Sequence, residues 1–192
     1  MNLPNKLTLL RIILVPVFMA FLLFQFALPQ MYLRYIAAGV FILAAITDGL
    51  DGYLARKRGL VTKLGKLIDP LADKLLISAA LIALVELGDI TAWPAIIIIG
   101  REFAVTGLRV VAASEGLVIS ASNLGKYKTN AQIFAIIAII MKIPYAEILL
   151  WIAVLLTIIS GVDYFWSAKD LIKSEGQKDS EIKENKDDDN DN

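Results

Sequence analysis

The sequence predicts an all-α, polytopic membrane protein with six transmembrane helices, and three observations carry that expectation. Hydrophobic residues make up 57% of the 192 positions and the mean hydropathy is +0.66, above the roughly 45–50% apolar share of a soluble domain. The apolar residues gather into segments close to the ~20 residues a helix needs to cross a bilayer. Runs such as Ile77–Val85 and Ile133–Met141 lack the period-two alternation of a membrane barrel strand, which leaves helices as the backbone-satisfying alternative in lipid.

Taken in order, the segments run at roughly 7–27, 32–56, 66–87, 91–113, 124–142 and 146–168, with boundaries good to a few residues. The first has no Ala-x-Ala-type cleavage site near its end and is read as a retained helix, not a signal peptide. Pro29, Pro94 and Pro144 fall at or near one set of helix ends, where a missing amide donor is least damaging. That same side carries only Arg34 and Lys142, beside Glu86, Asp89 and Glu147. The opposite side collects Lys6, Arg11, Arg56, Lys57, Arg58, Lys63, Lys66, Arg109, Lys126 and Lys128. The bias predicts a multi-pass protein of a cell membrane with both termini cytoplasmic. No internal repeat or inverted-half symmetry is evident. Residues 1–173 are therefore expected to form one membrane domain.

Residues 174–192 form a separate polar tail in which three lysines face eight acids, a net of −5 that leaves +5 on the remainder. Its composition predicts a disordered, solvated cytoplasmic segment. The chain has no cysteine and no histidine. Disulfides, zinc–thiolate centres and Cys or His nucleophiles are thereby excluded. Acid–base or metal chemistry must fall to Asp, Glu, Lys, Tyr or water.

Such chemistry has one obvious location. Asp48-Gly-Leu-Asp51-Gly52-Tyr-Leu-Ala55-Arg56 is followed, after eight residues, by Gly65-Lys-Leu-Ile-Asp69-Pro-Leu-Ala-Asp73. Asp48 and Asp51 are three apart and Asp69 and Asp73 four apart, so each pair shares a helix face. The short linker turns the chain back and brings the pairs to similar depth at the cytoplasmic surface. Four carboxylates gathered there would repel one another. Hard divalent cations, which take oxygen ligands, relieve that repulsion and suit a phosphate-bearing substrate. Gly52 and Gly65 allow close approach to the backbone, and Arg56 can bridge phosphate oxygens. The blander account, in which the acids pair with Arg56, Lys57, Arg58, Lys63 and Lys66 at a wet loop, suits a lone Asp better than four acids at matched helical spacings.

The pattern D-x2-D-G-x2-A-R-x8-G-x3-D-x3-D resembles the signature of the CDP-alcohol phosphatidyltransferases at Asp48, Asp51, Gly52, Ala55, Arg56, Gly65, Asp69 and Asp73. The resemblance implies that Asp48, Asp51 and Asp69 hold a divalent metal, Mg or Mn. It implies that Asp73 both holds metal and acts as general base on the acceptor hydroxyl. Gly52, Ala55, Arg56 and Gly65 would contact the CDP part of the lipid. With no His or Cys in the chain, a carboxylate four residues from a ligand is also the natural base. Members of the family are commonly homodimers.

The signature is shared by enzymes with different acceptors, so the choice must lie elsewhere. Arg109, Lys126 and Lys128 are candidates for a second basic patch that binds an anionic acceptor's phosphate; the alternative is ordinary contact with lipid phosphates. The stretches Asn5–Arg11, Arg101–Arg109 and Lys126–Gln132 resemble bacterial members of the family that use glycerol 3-phosphate. The expectation is transfer from CDP-diacylglycerol to glycerol 3-phosphate, giving phosphatidylglycerophosphate and CMP, with membrane lipids and no nucleic acid as partners. Another alcohol, such as serine or inositol phosphate, is the near alternative, and a divalent-cation transporter the distant one. Arg101–Glu102, a charged pair within the fourth span, is either a packing pair or functional. Asp163 in the sixth span calls for a polar partner that the sequence does not name.

Overall fold

The computed structural model describes the backbone of residues 3–24, 28–58, 63–114 and 123–166, and the side chains of 8–24, 28–47, 74–113 and 124–166. All regular structure among these residues is helical. The helices are α1 (Leu3–Leu23), α2 (Gln30–Arg58), α3 (Lys63–Glu86), α4 (Ala92–Ser114), α5 (Asn123–Ile140) and α6 (Ala146–Trp166). Each expected segment is present, shifted by a few residues. The main difference is that α1, α2 and α3 reach further into their charged ends than the apolar runs suggested. Lys and Arg are good helix formers, so a helix need not stop where hydropathy does. The acidic tail lies outside the described residues.

The core is built from small and branched apolar side chains of α1, α2, α3, α4, α5 and α6, including Phe18, Ala37, Phe41, Ala80, Leu84, Ile98, Ile136 and Ala153. Helix α1 packs most extensively against α2 and then α3, and the tilted Phe18–Phe41 ring pair, 5.5 Å between centroids, marks the first of these contacts. Alanines at 37, 38, 44, 79, 80 and 83 are all buried; small residues let helices approach closely where packing rather than water exclusion drives association. Outward, large apolar side chains such as Ile13, Ile46, Phe103, Val110, Phe134 and Leu155 are exposed, a surface suited to lipid and not to water.

By length and composition, Gln30–Thr47 and Ala146–Trp166 are apolar enough to cross a membrane, and Thr8–Leu23 is a shorter apolar helix. Arg101 and Glu102 interrupt the apolar run of α4, and Lys126, Lys128 and Gln132 that of α5. Those charged and polar groups are taken up inside the bundle, as described below.

At the end of the bundle formed by the α1–α2, α3–α4 and α5–α6 connections, two helix caps supply a charged cluster. Helix α3 closes with Gly88 at φ 69°. The Gly88 amide donates to the Val85 carbonyl (3.0 Å) and the Asp89 amide to that of Leu84 (2.9 Å), a Schellman arrangement. Helix α5 closes the same way on Lys142 at φ 55°, with Lys142 donating to Ile139 (3.0 Å) and Ile143 to Ala138 (2.9 Å). A lysine is a poor choice for left-handed backbone. Its ammonium, however, donates to Asp89 Oδ1 at 2.5 Å while Arg34 Nη1 donates to Asp89 Oδ2 at 2.6 Å and to the Ile140 carbonyl at 3.4 Å. One carboxylate thus ties together the start of α2, the α3–α4 turn and the α5–α6 turn.

Candidate active site

The signature residues sit on regular helix. Asp48, Asp51, Gly52, Ala55 and Arg56 lie in the last turns of α2, and Gly65, Asp69 and Asp73 in the first turns of α3; their side chains lie outside the described part of the structure. Helical rise puts Asp51 ~10 Å before the end of α2 and Asp69 ~9 Å after the start of α3. Residues 59–62 can separate those helix ends by no more than roughly 18 Å. Since α2 and α3 also pack together, the two acidic pairs lie on neighbouring helices, each within a few turns of the helix end that leads into residues 59–62. The donor set is all oxygen, which fits a hard divalent cation.

Next in sequence to this region, the described side chains form a set of polar contacts through the apolar bundle. Lys74, which follows Asp73, donates from Nζ to Thr106 Oγ1 on α4. Thr106 in turn donates to the Glu102 carbonyl one turn back, at 2.7 Å. The Glu102 carboxylate receives Lys128 of α5 and, at 3.2 Å, Arg101. Arg101 Nη2 reaches α6, donating to Ser160 Oγ (2.7 Å) and to its carbonyl (3.2 Å). Arg109 donates from Nε (2.8 Å) and from Nη2 to the Tyr164 hydroxyl. Lower in the bundle, Gln132 donates to Thr157 Oγ1 at 2.9 Å. A charge inside an apolar bundle survives only with a partner, and the network supplies partners from three helices.

The three basic residues expected to meet the acceptor are therefore not equivalent. Lys128 is buried and tied to Glu102; Lys126 is exposed; Arg109 is held by Tyr164 at the outer side of α4. Sequence reasoning gave no role to Lys74, Thr106, Ser160 or Tyr164. Arg11, which its position groups with the cations of the cytoplasmic side, is buried together with Thr8 of α1. Their spacing of three, which puts them on one face, was the available signal. Asp163 is half-buried; its neighbour Tyr164 makes the cross-helix contact.

Gly161 explains how Arg101 fits. A Cβ built there would lie 3.2 Å from Arg101 Cγ and 3.7 Å from its Nε. The far end of Arg101 is pinned by Ser160 and Glu102, so its stem has little freedom to retreat. Gly161→Ala is expected to destabilise the protein by about 1 kcal/mol, overpacking outweighing the gain in helix propensity. Gly39, around which a Cβ would meet open space, is the control: Gly39→Ala should be neutral or stabilising. Thermal unfolding in detergent micelles checks both, and equal midpoints for the two variants would refute the packing account.

The chain matches the family of CDP-alcohol phosphatidyltransferases over residues 1–159. It is 48% identical over 188 residues to a CDP-diacylglycerol–glycerol-3-phosphate 3-phosphatidyltransferase of Bacillus subtilis (strain 168), covering 87% of this chain and 96% of that protein. Identity to the protein of the same name in Rickettsia bellii (strain RML369-C) is 42% over 177 residues, covering 88% and 96%. A probable phosphatidylglycerophosphate synthase of Mycobacterium tuberculosis (strain ATCC 25618 / H37Rv) is 44% identical over 168 residues, covering 85% and 79%.

Proposed function

The chain belongs to the CDP-alcohol phosphatidyltransferase family, and from that premise we propose that it transfers the phosphatidyl group of CDP-diacylglycerol to glycerol 3-phosphate. The products are phosphatidylglycerophosphate and CMP. One observation carries the acceptor: relatives 42–48% identical over most of both chains bear that activity in their names. The complete signature on α2 and α3 is compatible with it.

Asp48, Asp51, Asp69 and Asp73 would hold a divalent cation, Mg or Mn; bound there, it would neutralise charge on the diphosphate and the departing CMP. Gly52, Ala55, Arg56 and Gly65 would contact the CDP moiety. Asp73 takes the proton of the attacking hydroxyl as the new oxygen–phosphorus bond forms and the bond to CMP breaks. Arg109, Lys126 and Lys128 receive the acceptor's phosphate, with Lys128 sharing its charge with Glu102.

The setting follows from the same reading. Residues 1–173 form a multi-pass domain in a bacterial cell membrane, with both termini and the site at the cytoplasmic face and residues 174–192 as a polar tail. The exposed apolar side chains around the bundle support contact with lipid, and the functional unit is a homodimer. Purified protein should release CMP from CDP-diacylglycerol with glycerol 3-phosphate, lose that activity on chelation and regain it with added Mg. CMP release with serine or inositol phosphate, and none with glycerol 3-phosphate, would overturn the acceptor. Turnover untouched by chelation would overturn the metal site.

A further inference from the structure

We propose that Tyr164 of α6 is a positioning residue for acceptor recognition, holding Arg109 toward a phosphomonoester without cancelling its charge. The inference rests on the reading of Arg109 as a ligand of the acceptor's phosphate. The starting point is how the network divides its cations. Arg101 and Lys128 both reach the Glu102 carboxylate. Arg109 is treated differently: its partner is a phenol. The Tyr164 hydroxyl accepts from Nε at 2.8 Å and from Nη2, and the guanidinium carbon stands 4.9 Å from the ring centroid.

That choice has a chemical consequence. A carboxylate in the same place would fix the arginine equally well but neutralise it, whereas a neutral oxygen and a ring face fix it and leave the positive charge in place. Tyr164 is itself buried, at 4% exposure, so it is a rigid post. Two donors on one edge of the guanidinium are occupied, which leaves the Nη1 edge of the fork outside this contact and suited to phosphate oxygens. The ring also faces Arg101, whose guanidinium carbon is 5.9 Å from the centroid. Two like charges at one ring would repel, and Glu102 relieves this by pairing with Arg101 and not with Arg109. Helix α6, which carries no signature residue, thereby enters acceptor binding through one side chain.

Tyr164→Phe keeps the ring and removes the oxygen. A hydrogen bond to a charged group contributes enough that its loss should raise the KM for glycerol 3-phosphate about tenfold. Because the contact orients a binding group and does no chemistry, kcat at saturating acceptor should stay within about twofold, and the KM for CDP-diacylglycerol should not move. In an Arg109→Gln background, Tyr164→Phe should add nothing further. An unchanged acceptor KM in Tyr164→Phe, or equal rises for both substrates, would overturn the proposal. Arg109→Gln separates the failures. If it raises the acceptor KM while Tyr164→Phe does not, only the positioning role falls. If it leaves that KM unmoved, the reading of Arg109 falls and takes the role of Tyr164 with it.

Discussion

Asp73→Asn is expected to lower turnover by about a thousand-fold, within the 10²–10⁴ range for loss of a general base, while the protein stays folded. If Asp73 is ligand and base as proposed, the amide would keep one oxygen for coordination but could not accept the acceptor's proton, so the loss should appear in kcat and far less in the KM for CDP-diacylglycerol. The adjacent Lys74 reaches across to Thr106 on α4, and the turn carrying Asp73 is thereby held in register with the helix that bears Arg109. Correct placement of base and acceptor is a large part of such a rate, because misplacement by an ångström can reduce it by orders of magnitude. CMP release by the purified variant, measured beside its unfolding midpoint, tests the assignment. Full transferase activity in Asp73→Asn would show that another group takes the proton.

The helices were legible in the sequence because a bilayer-length apolar run leaves few alternatives, and the signature was legible because its eight positions fall in contiguous turns of α2 and α3. The network was not. Helical periodicity tells which residues share a face; it does not tell which faces meet. Lys128 read as one more basic residue at a helix start, yet it is buried on a glutamate 26 residues earlier. Arg109 found its partner 55 residues away, on a tyrosine with no charge to advertise the contact. Arg34, Asp89 and Lys142 could be assigned to the same end of the bundle from their positions beside short connections. Their convergence on one carboxylate depends on two caps turning the chain inward, a detail decided by left-handed residues at Gly88 and Lys142.

That convergence sets the second large effect. Asp89→Asn should destabilise the protein by about 3 kcal/mol, the lower end of what removing one member of a buried ion pair costs, because it strands a buried guanidinium. Arg34 and Asp89 side chains are 7% and 4% exposed, while that of Lys142 is 50% exposed and can turn to solvent; Arg34 is therefore the group left uncompensated. Acid should reveal the same pair. Burial pushes the Asp89 carboxyl up, but hydrogen bonds from Arg34 and Lys142, reinforced by their charges, more than offset it and hold the group below its ordinary 3.8. The unfolded chain, with an ordinary aspartate near ~3.9, then binds a proton more readily than the folded one. The contribution is fully present above the unfolded value and is lost as pH falls through the depressed folded value. Wild-type protein in micelles should accordingly lose midpoint temperature as the medium is acidified below about pH 4. Asp89→Asn should start lower and follow a flatter curve. The site lies at the other end of the bundle, so the acceptor KM of the folded variant should match wild type. Identical midpoints for variant and wild type at neutral pH would mean that the three connections are held by packing alone, with the ion cluster contributing nothing.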